Sequence, residues 1–273
     1  MLHGIDEPHL WHGNTLSRQT VYGGLYEGAP DRFDVVLTNP PFGGKEGVEA
    51  QNPFPFKTRA TQVLFVQYVM QILEPGGRCG IVLDEGLLYR TNEDGFLRTK
   101  RKLLDECDLW CIVSLPGGAF TGSGAGVKTN LVFFTRGRKT ERCTPEAETE
   151  HSWTVDFVER KKKAAEEAAP FRKEANDQAE QARTLRDEAK ALRKADKIKK
   201  ADALTEQALA ADKAGREALG KAQAIEDAVY DLKEVNPREK KIVDSRTPAE
   251  LLAAIEEKGR EVDEAFSKLR ALL

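Results

Sequence analysis

The chain has 273 residues, 40% hydrophobic and 32% charged, with a formal net charge of −3. That length holds one large domain or two modest ones, and the charged share points to an exposed helical arm beside a globular part. Global charge does not draw such a chain onto nucleic acid, so any DNA contact must come from a local basic patch; no apolar run is long enough to cross a bilayer and no signal-peptide pattern opens the chain, which excludes a membrane partner.

Residues 1–138 read as α/β. Phe33-Asp34-Val35-Val36-Leu37 is a short apolar run ending at Asn39-Pro40. The span Thr61 to Leu73 has helical spacing through Leu64, Tyr68 and Gln71/Ile72, with Phe65, Val69 and Leu73 alongside. Pro75-Gly76-Gly77 is a stop-and-turn signal ahead of a second strand, Arg78 to Leu83. Phe96 to Cys107 offers Phe96, Leu103 and Leu104 as an inward helical stripe. Trp110 to Leu115 is a third strand, closed by Pro116-Gly117-Gly118, and Lys128 to Thr135 is a fourth. Strands alternating with helices indicate a mainly parallel sheet with helices on both faces. The fourth run follows the third without a helix, so an antiparallel hairpin is expected to close that edge.

Residues 139–156 read as a connector. From Phe157 the composition turns to Ala, Glu, Lys, Arg and Asp, and residues 157–234 read as a charged, Ala-rich arm. Ala182, Leu185, Ala189 and Leu192 are spaced three-four-three. Ala218, Ala222, Ile225, Val229 and Leu232 are spaced four-three-four-three. This is a shallow coiled-coil seam. One continuous helix from Phe171 to Leu232 would reach roughly 90 Å, and an antiparallel hairpin half of that; the sequence leaves both open, because Gly215 and Gly220 weaken the helix but no Pro-Gly turn fixes a bend. Val235-Asn236-Pro237-Arg238 breaks the pattern. Residues 235–273 then carry a last helix, with Thr247 as N-cap, Pro248 in the first turn and Glu250 completing a capping box. Its apolar face is Leu251, Leu252, Ile255, Val262, Phe266, Leu269 and Leu273.

The informative motif is Thr38-Asn39-Pro40-Pro41-Phe42, directly after the first strand. In an open α/β sheet, ligands bind at the carboxyl ends of strands. The residue types fit one chemical problem. The exocyclic amino group of a base is a poor nucleophile because its lone pair is delocalised into the ring, and two acceptors, one per N–H, favour its pyramidal, attacking form. Asn39 supplies a side-chain oxygen. Pro40 supplies a carbonyl and has no N–H, and Pro41 restricts how that carbonyl points. Phe42 offers a flat face on which an extruded base stacks. An ordinary strand-to-loop turn is the competing explanation, since Asn-Pro is a common turn signal. Cys79, Cys107, Cys111 and Cys143 fit neither a zinc spacing nor a redox pair. They read as reduced core thiols of a cytoplasmic protein, Cys79 and Cys111 being small residues in apolar runs. His3, His9, His12 and His151 form no ligand pattern, and no metal is expected.

The segment from His3 to Arg136, about half the chain, resembles the modification subunit of type I restriction–modification systems, among the N6-adenine DNA methyltransferases. The resemblance is carried by Leu2-His3-Gly4-Ile5 with His12-Gly13-Asn14-Thr15-Leu16, by Asp34 to Phe42, and by Lys57-Thr58-Arg59-Ala60-Thr61-Gln62. It continues through Leu73-Glu74-Pro75-Gly76-Gly77-Arg78, Glu85-Gly86-Leu87-Leu88 and Ser114-Leu115-Pro116-Gly117-Gly118-Ala119-Phe120, and ends with Gly126-Val127-Lys128-Thr129-Asn130. The Asn-Pro-Pro-Phe loop is shared by many amino-methylating enzymes; the Lys-Thr-Arg-Ala-Thr-Gln and Gly-Val-Lys-Thr-Asn neighbourhoods narrow it to type I.

The resemblance implies an α/β fold, a partial Rossmann-like methyltransferase sheet followed by a long helical C-terminal region. It implies adenine-N6 methylation of duplex DNA from S-adenosylmethionine, with a specificity subunit and a restriction subunit as partners. It places Asn14 near the cofactor's adenine and Phe120 against the flipped base; the alternatives are a turn residue for Asn14 and a core or lid aromatic for Phe120. Lys57 and Arg59 are candidate phosphate contacts, or simply solvated charges. The family's glycine-rich cofactor loop, and an acidic residue after the next strand, belong ahead of Met1. Gly43-Gly44-Lys45 lies in the wrong place to replace them, and Asp84 stands where the family shows proline. The expectation is therefore an N-terminally truncated or split methyltransferase, inactive as an isolated chain. The competing readings are a catalytically dead chain serving as a subunit-interaction module, and an amino-methyltransferase acting on RNA or protein.

Overall fold

The computed structural model describes residues 14–16, 31–120, 127–233 and 247–272, the last ten of these by their backbone alone. Asn236–Leu273 forms a unit separate from the rest of the chain.

A four-stranded sheet is built from β1 (Phe33–Thr38), β2 (Leu73–Asp84), β3 (Cys107–Ser114) and β4 (Thr129–Arg136), in the order β1-β2-β4-β3. β1 and β2 are parallel, while β4 is antiparallel to both β2 and β3. Three strands thus share one direction, as alternation with helices predicts, and the β3–β4 hairpin forms. It does not close the edge in chain order, however. β4 inserts between β2 and β3, so the strand carrying the fully buried Val132 and Phe134 gains two hydrogen-bonded neighbours. The Pro75-Gly76-Gly77 signal does not end an element either. It is absorbed as an irregularity inside β2, whose pairing with β1 jumps from Leu73 to Arg78.

Helices α2 (Thr61–Ile72), α3 (Glu85–Tyr89) and α4 (Asp94–Glu106) pack on one face of this sheet. Their apolar stripes supply Val63, Val66, Val69, Met70, Leu87, Leu88, Phe96, Leu103 and Leu104, which meet Cys79, Ile81, Leu83, Leu109, Val132 and Phe134. Each such aliphatic side chain, fully buried, contributes about 1.5–3 kcal/mol. A smaller cluster of Leu16, Ala50, Phe54 and Leu64 lies on the other side of α2, with Phe65 and Tyr68 packed against it; Ala50 comes from the short α1 (Val48–Gln51). The alternating pattern predicts helices on both faces. Among the described residues the second face instead stays apolar and open: Phe33, Val35, Leu37, Trp110 and Val113 are exposed, and Trp110 stacks on Phe133 at 5.2 Å. Cys79 and Cys107 are buried as anticipated, whereas Cys111 sits only half-buried on an edge strand.

After a two-stranded ribbon, β5 (Arg142–Cys143) and β6 (Val155–Asp156), the charged region forms a hairpin of α5 (Phe157–Lys194) and α6 (Ile198–Ala228). The Asp156 side chain caps α5 by accepting from the Glu159 N–H at 2.9 Å. The turn falls at Ala195-Asp196-Lys197, with Asp196 in the left-handed conformation at φ 59°, a conformation that Asp tolerates through local hydrogen bonding. Ala164, Ala168, Ala175, Ala182 and Ala189 are buried against Ala201, Ala208, Ala211, Gly215, Ala218 and Ala222. The base of the hairpin docks on α3 and α4. Arg101 pairs with Asp227 at 2.9 Å, the Leu232 N–H donates to the Leu88 carbonyl at 3.0 Å, and the Tyr230 ring lies beside Arg101 and Lys161. In the separate unit, α7 (Pro248–Leu272) opens with the anticipated capping box: the Thr247 N–H donates to Glu250 at 2.6 Å and the Glu250 N–H to Thr247 Oγ1 at 3.3 Å. Leu252, Ile255 and Val262 are exposed along it; Phe266, Leu269 and Leu273 lie outside the described side chains.

Candidate active site

Asn39, Pro40, Pro41 and Phe42 leave β1 at its carboxyl end, where Thr38 still pairs with Ile81 of β2. Asn39 and Pro41 are exposed, Pro40 is buried and Phe42 is half-buried. Pro40 thus anchors the loop while Asn39 projects from it. The Phe42 ring meets that of Phe120 edge to face, with centroids 5.2 Å apart and planes at 62°. Phe120 belongs to the segment after β3, which the Leu115 N–H ties to the Thr129 carbonyl at 3.0 Å. β1 and β3 are the two outer strands of the sheet, yet loops from the same end of both bring these aromatic side chains together. The glycine-rich residues 121–126 that follow lie outside the described residues.

The loop then turns through Gly43 and Gly44, at φ 86° and 99°, and a Cβ on Gly44 would come within 2.9 Å of Thr61 Oγ1. Both conformations favour glycine, so these two residues serve the loop's own turn. The first turn of α2 and the residues before it hold the loop from several directions. The Thr61 N–H donates to the Gly44 carbonyl at 3.4 Å, the Glu46 N–H donates to the Arg59 carbonyl at 2.8 Å, and the Thr61 hydroxyl donates to Glu46 at 3.1 Å. With the buried Gln62 amide oriented so that each of its atoms finds a partner, its oxygen accepts the Gly43 N–H at 2.6 Å and its nitrogen donates to Asp84 Oδ1 at 2.7 Å.

Asn14 is tied to this region through its side chain. Its nitrogen donates to Glu46 at 3.3 Å and its oxygen accepts the Leu16 N–H at 3.0 Å. That is a turn residue's bonding pattern, alongside the loop rather than within it. The Lys57 ammonium donates to the Gln51 and Asn52 carbonyls, both at 2.9 Å, and so closes the end of α1; Arg59 is exposed. Lys128 pairs with Glu85 at 3.1 Å, and Lys233 reaches the same carboxylate at 3.3 Å. Burial works to raise the Glu85 carboxyl, but hydrogen bonds and charge from the two lysines outweigh it and hold it below the usual range. Sequence reasoning missed Glu46, Gln62 and Asp84. Their signal is weak in the sequence because each acts on backbone or side chains far away along the chain. No group of His, Cys, Asp or Glu suited to a metal ion occurs among the described residues, and no described helix is long and apolar enough to cross a membrane.

Such a loop can present two oxygen acceptors to a planar amine beside an aromatic pair. Two relatives named as methylase subunits are similar to about half of the chain. It is 39% identical over 144 residues to the type I restriction enzyme EcoEI methylase subunit of Escherichia coli, covering 52% of this chain and 28% of that protein. It is 34% identical over 157 residues to the EcoKI methylase subunit of Escherichia coli strain K12, covering 58% and 28%. The chain therefore spans little more than a quarter of the length of these relatives. A solved structure concerned with complex assembly and conformational transition of the type I R-M system matches over 100% of this chain and 50% of its own, with a TM-score of 0.55 and 27% identity. The family described as N-6 DNA Methylase matches residues 1–212, and with the Asn39–Phe42 loop at the end of β1 the chain belongs to that family.

Proposed function

We propose that this chain supplies the acceptor side of a type I adenine-N6 methyltransferase: the loop that holds the target amine while S-adenosylmethionine donates the methyl group. The observation that carries this reading is the placement of Asn39 and Pro40 at the carboxyl end of β1, with Phe42 and Phe120 in contact beside them, in a chain of the N-6 DNA methylase family. The Asn39 side-chain oxygen and the Pro40 carbonyl each accept one N–H of the exocyclic amine. Holding both hydrogens draws the nitrogen out of conjugation and aims its lone pair away from the loop. The gain is one of orientation and of hydrogen bonds that strengthen as the nitrogen becomes positive in the transition state. No nucleophilic side chain and no covalent intermediate take part. The flipped base stacks against Phe42 and Phe120, whose edge-to-face contact opens to admit it.

The donor's cradle does not fit the described residues. Gly43 and Gly44 are committed to the loop's turn, and the Asn14 side chain is bonded to Glu46 and the Leu16 N–H. The reading therefore assigns to the described residues the acceptor groups alone. Duplex DNA, a specificity subunit and a restriction subunit are the partners it proposes, by analogy with the type I relatives. The test is Asn39→Ala in an enzyme assembled with the cofactor-binding half and a specificity subunit. Methylation should fall at least about a hundredfold, while the melting temperature stays within a few degrees because Asn39 is exposed. Retained methylation would remove Asn39 from the mechanism.

A further inference from the structure

We propose that Gln62 and Asp84 are positioning residues that set the height of the Asn39–Phe42 loop over the sheet. The inference rests on the functional reading of that loop. Gln62 is buried in the first turn of α2, and Asp84 is the last residue of β2, the strand beside β1. The Gln62 oxygen takes the Gly43 N–H at 2.6 Å and its nitrogen gives a proton to Asp84 Oδ1 at 2.7 Å. Gly43 directly follows Phe42, so this bond fixes the point at which the loop leaves its four functional residues. The same Asp84 oxygen accepts the Leu87 N–H at 3.0 Å and so caps α3. One carboxylate oxygen therefore orients the amide that clamps the loop and also starts the helix that follows β2.

The arrangement is polarised. An amide alone could turn its nitrogen or its oxygen toward Gly43. Only the oxygen can accept the backbone N–H, and Asp84, an acceptor when ionised, selects that orientation. A buried amide left in the wrong orientation would face a donor with a donor and an acceptor with an acceptor, and each unmade bond costs the desolvation of its group. Asp84 thus acts on the loop through Gln62 and does not touch the substrate.

Hydrogen exchange at the Gly43 amide in the full chain tests the clamp without requiring catalysis. In Asp84→Ser, the hydroxyl still caps α3 but is too short to reach Gln62. Gly43 exchange should quicken about tenfold while the Leu87 amide holds its protection. Asp84→Asn keeps an oxygen for both donors and should stay within about twofold of the parent. In Gln62→Glu the introduced carboxylate opposes Asp84. Gly43 exchange, corrected for its intrinsic pH dependence, should then regain protection as the pH falls and the new side chain takes up the proton that stands in for the amide donor. Unchanged Gly43 exchange in both Asp84→Ser and Gln62→Glu overturns the clamp. In the assembled enzyme, Asp84→Ser should lower kcat with little change in KM for DNA. An unchanged kcat in a methylating enzyme overturns the positioning role. A parent enzyme that never methylates would instead sink the functional reading, with the exchange data still deciding whether the clamp exists.

Discussion

Lys100 shows how one side chain records the docking of the helical hairpin. It lies buried on α4, and its ammonium donates to the Leu88 carbonyl at 2.7 Å, the same carbonyl that accepts the Leu232 N–H. Burial pushes the ammonium down from 10.5 to about 8, against a partial opposing pull from the Asp231 carboxylate. A lysine whose folded pKa is depressed weakens the fold while both states are charged, and that cost disappears once both are neutral. Relative to Lys100→Met, the parent chain should therefore gain stability as pH rises from about 8 to 10.5, by up to about 3 kcal/mol. Urea denaturation of both proteins at about pH 7.5 and pH 10.5 measures this, and a constant difference between them would show that the amine titrates normally in the fold. The opposite lesson comes from Asp84. As a sequence position it stands out only for replacing a proline, because its partner Gln62 becomes visible only when β2 is laid beside the loop. The Asn39-Pro40-Pro41-Phe42 pattern, by contrast, is legible locally, since the chemistry proposed for the loop is contained in four consecutive residues.

At the scale of elements, helical spacing locates α2 and α4, and short apolar runs locate all four strands of the main sheet. Strand order is not legible. The glycine-rich connection between β3 and β4, with no helical pattern, favours antiparallel pairing, but nothing local states that β4 lies inside and β3 outside. That choice depends on which strand buries more when paired on both sides. The arm is similar: the three-four seam is visible, while the turn depends on Asp196 adopting a left-handed conformation without any glycine or proline to announce it. The seam makes a paired prediction. A Cβ on Gly215 would stand 3.3 Å from the Ala175 carbonyl oxygen and from Gln178 Cβ, whereas one on Gly220 meets nothing within 4 Å. Gly220→Ala should stabilise the chain by about 1 kcal/mol through helix propensity alone. Gly215→Ala should give back that gain and more, because the helices must part to admit the methyl group. Thermal melts of both variants check the contrast. For α7, whose Leu252, Ile255 and Val262 are exposed, the expected partner is a specificity subunit. Removing residues 233–273 should abolish co-purification with it, and equal recovery of both forms would show that this helix is not the docking element.

At the scale of the whole molecule, the proposed acceptor loop is legible, while no cradle for the proposed methyl donor is visible among the described residues. Calorimetry with the isolated chain should detect no S-adenosylmethionine binding, and a micromolar dissociation constant would show that other residues build the pocket. The open face of the sheet has a more immediate consequence. Leu37 is 78% exposed, with Val35 and Trp110 on the same apolar surface and β1 bonded to a neighbour strand on one side only among the described residues. Water solvates such a surface poorly, and a flat apolar strand at a sheet margin is a template for indiscriminate stacking. The limit on handling this chain should therefore be colloidal rather than conformational. Leu37→Glu should raise the concentration at which it stays clear in solution and reduce its binding of a hydrophobic dye, with a melting point close to that of the parent.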